Sequence, residues 1–336
     1  MSAGDRTTVR AAHRWLVRRR RWAAALLVVV SALAVACSGD GPTAPGESGN
    51  WKKGTAVHAV EIGDLTRSYV LHVPPRLRRG TGATALPYPL VIVLHGSSAD
   101  ASAIQQASGM DSVADRALFL VAYPNATGGS FGVYASDWNA GTCCGGAYRD
   151  GVDDLGFLAA LIKHVSAHVP VDAKHVYVAG FSSGGMMAYH AACKLSMSIA
   201  AIGVVSGGLV DDSCHPAKGV SLWAVHGTDD AEVAFDESSS TLPSSRVLPA
   251  AYALPPSVQF WSALQKCTGG SAKALSAHVT KTTFVGCING DVEFNAIEGG
   301  THGWPGGPID PGSQPPMNEL KAAVAMWTFF ARHTRN

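Results

Sequence analysis

Two stretches of the chain, PLVIVLHG (89–96) and LFLVAYPN (118–125), place apolar side chains at consecutive positions instead of alternating ones. A strand apolar on both faces is one buried between two helical layers, as in a parallel sheet. Further short apolar runs predict strands at 68–73, 90–95, 118–123, 176–180, 200–205 and 222–226, with two later ones at 280–285 and 292–297. Amphipathic stretches between them predict helices at 101–116, 152–169, 185–195, 257–265 and 318–332. In the last of these, Leu320, Val324, Trp327 and Ala331 recur at helical spacing and predict a docking face. Alternating strands and helices imply an α/β fold: a mostly parallel, doubly wound sheet with helices on both faces. No internal repeat is visible, and residues 56–336 read as a single domain. Two connections are longer than usual, 125–151 and 231–256, and loops of that length tend to shape binding sites.

The N-terminus belongs to a different class of segment. Arg18–Arg21 precede an uncharged apolar run at 22–36, and Cys37 follows small residues. That is the layout of an export signal, and fifteen apolar residues are short for a membrane span. Residues 1–36 are expected to be a signal of the lipoprotein type, with Cys37 as the lipidated residue and 37–55, rich in Gly and Pro, as a flexible tether. The expected location is extracellular or at the cell envelope, with membrane contact only through the lipid on Cys37.

Setting the leader aside changes the charge balance. The whole chain carries a formal +1, but residues 37–336 hold 19 basic and 24 acidic side chains, a net charge near −5. No basic patch points to nucleic acid. The remaining six cysteines, Cys143, Cys144, Cys193, Cys214, Cys267 and Cys287, are an even number in an exported chain and predict disulfides. Cys267 and Cys287 flank a short segment and form the expected local pair, whereas adjacent Cys143 and Cys144 are expected to reach different partners. No metal site is expected.

The segment HVYVAGFSSGGMM (175–187) carries the candidate chemistry. Gly180-Phe181-Ser182-Ser183-Gly184 is a G-x-S-x-G pentapeptide between a predicted strand and a predicted helix. A serine on such a turn is lifted clear of the sheet, and only small neighbours allow the close approach it needs. A serine hydroxyl is a poor nucleophile unless a base reaches it and a third group orients that base. On α/β-hydrolase sheets the partners follow in the order Ser, acid, His. Asp229 and Asp230 both stand just past the strand predicted at 222–226, and His302 stands in the Gly-rich turn after 292–297. Together with Ser182 they predict acyl transfer. The oxyanion would be held by the backbone N–H groups of Ser183, next to the nucleophile, and of Ser97, in the loop after an early strand. Asp153 and Asp154, at the start of a predicted helix, read as caps. Trp138, in the first long loop, and Trp304, beside His302, are candidates for contacts to substrate.

Taken together, RSYVLHVPP (67–75), LHGSSAD (94–100), DWNAGTCCG (137–145), VDDLGFLAALI (152–162), GFSSGGMMAYHAAC (180–193), HGTDD (226–230), GGTHGWPGG (299–307) and MWTFFARH (326–333) resemble an esterase family. It comprises polyhydroxybutyrate (PHB) depolymerases, feruloyl esterases and acetyl xylan esterases, LpqC-like lipoproteins among them. The resemblance implies an α/β-hydrolase fold without metal or organic cofactor, with nucleophile Ser182, acid Asp230, base His302 and oxyanion amides at Ser97 and Ser183. It implies hydrolysis of carboxylic esters, either feruloyl and acetyl groups on polysaccharide or hydroxyalkanoate oligoesters. The chain carries Ser97 where many depolymerases of the group have cysteine. A serine peptidase on the same fold and an inactive anchored binding protein are the competing expectations.

Overall fold

Leu90, Ile92 and Leu94 point to one face of a central sheet, and Val91 and Val93 to the other. That division, repeated by Val176 and Val178 against Tyr177 and Ala179, builds two separate apolar cores. A computed structural model describes residues 52–78, 86–128, 136–211, 213–237, 254–307 and 316–335. The expected signal, Cys37 and most of the tether lie outside the described residues, as does much of the second long loop.

The strands are β1 (Gly54–Ile62), β2 (Leu65–Val73), β3 (Tyr88–Leu94), β4 (Leu120–Pro124), β5 (Thr127–Gly128), β6 (Ser136–Asp137), β7 (Val171–Phe181), β8 (Ala201–Val205), β9 (Ser221–Gly227), β10 (Gly269–Ala274), β11 (Val279–Val285) and β12 (Val292–Ile297). Ten form one sheet in the order β1-β2-β4-β3-β7-β8-β9-β12-β11-β10, and β5 and β6 pair by themselves. The six central strands, β4 through β12, run parallel, and an antiparallel hairpin closes each edge. The chain leaves β3 for β4 on one side and then builds outward from β7 on the other. Between β3 and β7 the direction of winding reverses, and a crevice opens there at the carboxyl ends of the strands.

The helices are α1 (Ala101–Ser108), α2 (Met110–Ala117), α3 (Gly145–Arg149), α4 (Asp154–His168), α5 (Ser183–Lys194), α6 (Pro256–Leu264) and α7 (Ala322–Phe330). Phe157 and Leu161 of α4, Tyr189 of α5 and Trp261 of α6 fill one core. Ile104, Val113, Met326, Phe329 and Phe330, from α1, α2 and α7, fill the other. The sheet is therefore covered on both faces, as an α/β-hydrolase sheet is.

Several elements differ from expectation. The helix expected at 101–116 is two helices, because Gly109 adopts φ 61° and ends α1 while starting α2. β1 begins at Gly54, inside the stretch read as tether; its residues alternate between half-buried and exposed, and no apolar run marks it. α7 starts only at Ala322, after a 3-10 turn at Met317–Glu319, so Leu320 is not on the helix. The helix docks through Ala322, Ala323, Met326, Phe329 and Phe330, and Val324, expected on that face, is 46% exposed.

Adjacent Cys143 and Cys144 are bonded to each other, not to separate partners, and Cys193 pairs with Cys214. The local pair Cys267–Cys287 is as expected. Cys193 and Cys214 join the end of α5 to the loop after β8, and Cys267 and Cys287 join each other, so among the described cysteines Cys143 and Cys144 are left to pair together.

Candidate active site

Ser182 sits between the last residue of β7 and the first of α5 with φ 54° and ψ −122°. For a residue with a side chain this is strained backbone, held here because the surroundings over-determine it. The Ser182 N–H donates to the Val205 carbonyl at 3.0 Å, and its carbonyl accepts from Met186 N–H at 3.1 Å. A Cβ on Gly180 would run into the Gly184 carbonyl, and one on Gly184 into the His95 carbonyl. The two glycines of the pentapeptide are thus required by close approach of the backbone, which holds the serine at the positive end of α5.

His302 and Asp230 meet from two loops that are stitched together. Asp229 N–H donates to the Gly300 carbonyl at 2.9 Å, and Gly299 N–H donates to Thr228 Oγ1 at 2.8 Å. The stitching brings His302 Nδ1 within 2.8 Å of Asp230 Oδ2. Asp229 points to solvent, whereas Asp230 is buried. Glu232 N–H and Val233 N–H donate to Asp230 Oδ1, and His226 Nε2 lies 3.3 Å from Oδ2. Burial pushes the Asp230 carboxyl up, but the hydrogen bonds from His226, His302 and Val233 outweigh it and hold it well below the usual carboxylate range. Asp230 stays ionised, so its Oδ2 accepts a hydrogen bond from His302 Nδ1. The Phe181 ring packs 4.7 Å from the His302 ring.

Ser182 and His302 line one cavity of about 600 Å³, together with Gly96, Ser97, Phe181, Glu232, Gly303 and Trp304 and with Ala103, Gln106 and Ala107 of α1. Of the two expected amide donors, Ser97, in the turn after β3, lines this space, whereas Ser183, which begins α5 directly after Ser182, is buried and is not among the lining residues. The arrangement can activate a hydroxyl and receive a carbonyl oxygen between two backbone segments. Glu232 was not foreseen. Its side chain is 73% exposed, and Oε2 lies 3.7 Å from His302 Nε2. Its signal in the sequence is its place two residues beyond the acid.

Trp138, expected to touch substrate, is fully buried and does not line the cavity. Its Nε1–H donates to the His95 carbonyl at 2.8 Å, and Ser98 N–H donates to Ser136 at 3.0 Å. Both contacts pin the loop that carries Ser97. Trp304 does line the cavity, with its indole almost wholly buried. The first long loop is a support in its described part: Asp154, 1% exposed, pairs with Arg67 at 2.7 Å and accepts from Asn139 N–H. Asp153 alone caps α4, accepting from Gly156 N–H. The Cys143 and Cys144 sulfurs lie 3.8 and 3.6 Å from Met186 Sδ, so this loop also rests on the helix that follows Ser182. His164 and His168 form an H-x-x-x-H pair on α4 that lies outside the motifs weighed above. His164 Nδ1 bonds to Tyr69 Oη at 3.0 Å, and no group of three or more metal-ligating side chains that could hold an ion is found among the described residues.

Residues 67–253 match the family described as Esterase PHB depolymerase. The chain belongs to that family. Its relatives include the putative esterase NocK of Nocardia uniformis subsp. tsuyamanensis, 30% identical over 75% of each chain. A probable feruloyl esterase C of Aspergillus clavatus is 26% identical over 79% of this chain and 83% of its own. Among solved structures, the acetyl xylan esterase from Aspergillus awamori superposes with a TM-score of 0.54 at 14% identity, covering 82% of this chain and 99% of its own. That likeness concerns the fold; family membership makes the chain a carboxylic ester hydrolase. Among the described residues of this esterase, no helix is long and apolar enough to cross a membrane.

Proposed function

We propose that this esterase is an exported, lipid-anchored serine hydrolase that cleaves carboxylic esters through Ser182, His302 and Asp230. The observation that carries the reading is the opening of a strained serine elbow and a His–Asp pair onto one cavity. Ser182 Oγ adds to the ester carbonyl carbon while its proton passes to His302 Nε2. The negative oxygen is held by the N–H groups of Ser97 and Ser183. Collapse expels the alcohol, which takes the proton from His302, and leaves the acyl group on Ser182. Water then repeats the cycle and releases the acid. Asp230, ionised throughout, holds the imidazole tautomer and stabilises the imidazolium.

The substrates proposed are feruloyl or acetyl esters of polysaccharides and hydroxyalkanoate oligoesters, in keeping with the relatives' names. Export and anchoring rest on the leader and on Cys37. The test is hydrolysis of methyl ferulate, acetylated xylan, p-nitrophenyl esters and 3-hydroxybutyrate oligomers, with labelling by a fluorophosphonate. Activity and label both lost in Ser182→Ala would bear the reading out. A folded wild-type protein that takes no label and cleaves no ester would sink it.

A further inference from the structure

Nε2 of His302 is the atom that hands its proton to the departing alcohol, so whatever surrounds Nε2 on the open side faces the alcohol half of the ester. Glu232 stands there. Its Oε2 lies 3.7 Å from Nε2, and the side chain projects into solvent at the cavity mouth. Among the described lining residues, Glu232 and His302 are the only ionisable side chains. The other walls are the backbone of Gly96 and Gly303, the α1 side chains, Phe181, Trp304 and serine hydroxyls. Among the described lining residues, Glu232 is therefore the one carboxylate an ester meets, beside the atom that protonates the alcohol.

Resting on the reading of Ser182 and His302 given above, we propose that Glu232 is the specificity-determining side chain for the alcohol half of the substrate. It selects alcohols that are uncharged and rich in hydroxyl groups and rejects alcohols that carry a carboxylate. A carboxylate accepts hydrogen bonds from neighbouring hydroxyls, as on a sugar ring, and repels a second carboxylate held close by. The two substrate classes left open by the fold differ in this respect. Cleavage at an acylated sugar releases a neutral polyol. Cleavage of the terminal bond in a hydroxyalkanoate oligomer releases an alcohol whose carboxylate lies a few atoms from the breaking bond. Glu232 favours the first class.

The experiment compares acetate release from 3-acetoxybutanamide and 3-acetoxybutanoate, which share the acyl group and differ in the charge of the alcohol half. A second pair, ethyl succinamate and monoethyl succinate, places the same difference on the acyl half. Because Glu232 is solvated, the expected wild-type preference for the neutral member of the first pair is about fivefold in kcat/KM. It should shrink in about 0.5 M salt. Glu232→Gln should reduce that preference to about twofold or less, and Glu232→Lys should reverse it, with the acyl-side ratio unmoved. Each preference is a ratio within one protein, so the amount of folded enzyme cancels. An alcohol-side preference equal in wild type and Glu232→Gln overturns the proposal, and so does an acyl-side ratio that shifts as much. Failure to cleave even the neutral esters overturns the serine-esterase reading, and the proposal with it.

Discussion

Two of the His–Asp pairs among the described residues are alike in geometry and burial but differ in setting, and one of them borders the cavity that Ser182 lines. His302 and Asp230 are 2.8 Å apart; His190 and Asp211 are 3.1 Å apart. In the first pair the second ring nitrogen turns toward the space that Ser182 also borders. In the second the ring is packed under Gly141, where a Cβ would approach it to 2.8 Å, and Asp211 is shared with Lys194 at 3.4 Å. Burial lowers the pKa of His190 despite its partner, so that the imidazole is held neutral between α5 and the 139–145 turn. A His–Asp pair is thus no signature of catalysis in itself. What the unpaired nitrogen of the ring faces decides its role.

The largest effects should separate the two pairs by activity. Ser182→Ala and His302→Ala should each lower kcat on esters by about 10⁴–10⁶, with unchanged circular dichroism. Asp230→Asn, which presents the wrong hydrogen-bonding partner to His302, should cost about 10⁴ in kcat. His190→Asn should leave kcat in place and instead lower stability by about 1–3 kcal/mol, read from urea unfolding. If His190→Asn silenced the enzyme while its fold persisted, the division between the pairs would fail.

A smaller effect sharpens the contrast between carboxylates. Asp230 is held down, but Glu237, seven residues on, is pushed by burial from 4.5 up to about 7 despite hydrogen bonds from Ser257. The folded protein therefore retains a proton that the unfolded chain releases above 4.5. This contribution to stability is complete below 4.5 and is lost as pH rises to about 7, a change of order 1–3 kcal/mol. Glu237→Gln should flatten stability across that window. An unaltered pH profile of the melting temperature would refute the assignment.

The legible parts of this molecule were local. The elbow at Ser182 was readable because its cause lies within five residues: glycines that the backbone cannot do without, between an apolar strand and a helix. The buried strands β3 and β4 were readable from their unbroken apolar runs. What escaped depends on partners far away in sequence. Asp154 is tied to Arg67, 87 residues distant, and Trp138 to His95, 43 residues distant. Nothing near Trp138 distinguishes an indole that props a loop from one that meets substrate. Strand β1 escaped because, at the sheet edge, no residue of it is fully buried. The bond between Cys143 and Cys144 escaped because pairing follows from where the other cysteines end up.

The wall that α1 gives the cavity has an evolutionary consequence. Ala103 and Ala107 lie one turn apart on it, and Ala99 stands just before it. The wall is made there largely of methyl groups, while Ser182, Asp230 and His302, the side chains proposed to react, come from the loops after β7, β9 and β12. Replacing an alanine on a helix surface by a longer unbranched residue costs only a few tenths of a kcal/mol in helix propensity. Lineages with this architecture can therefore widen or narrow the chamber one methyl group at a time at little cost to the fold.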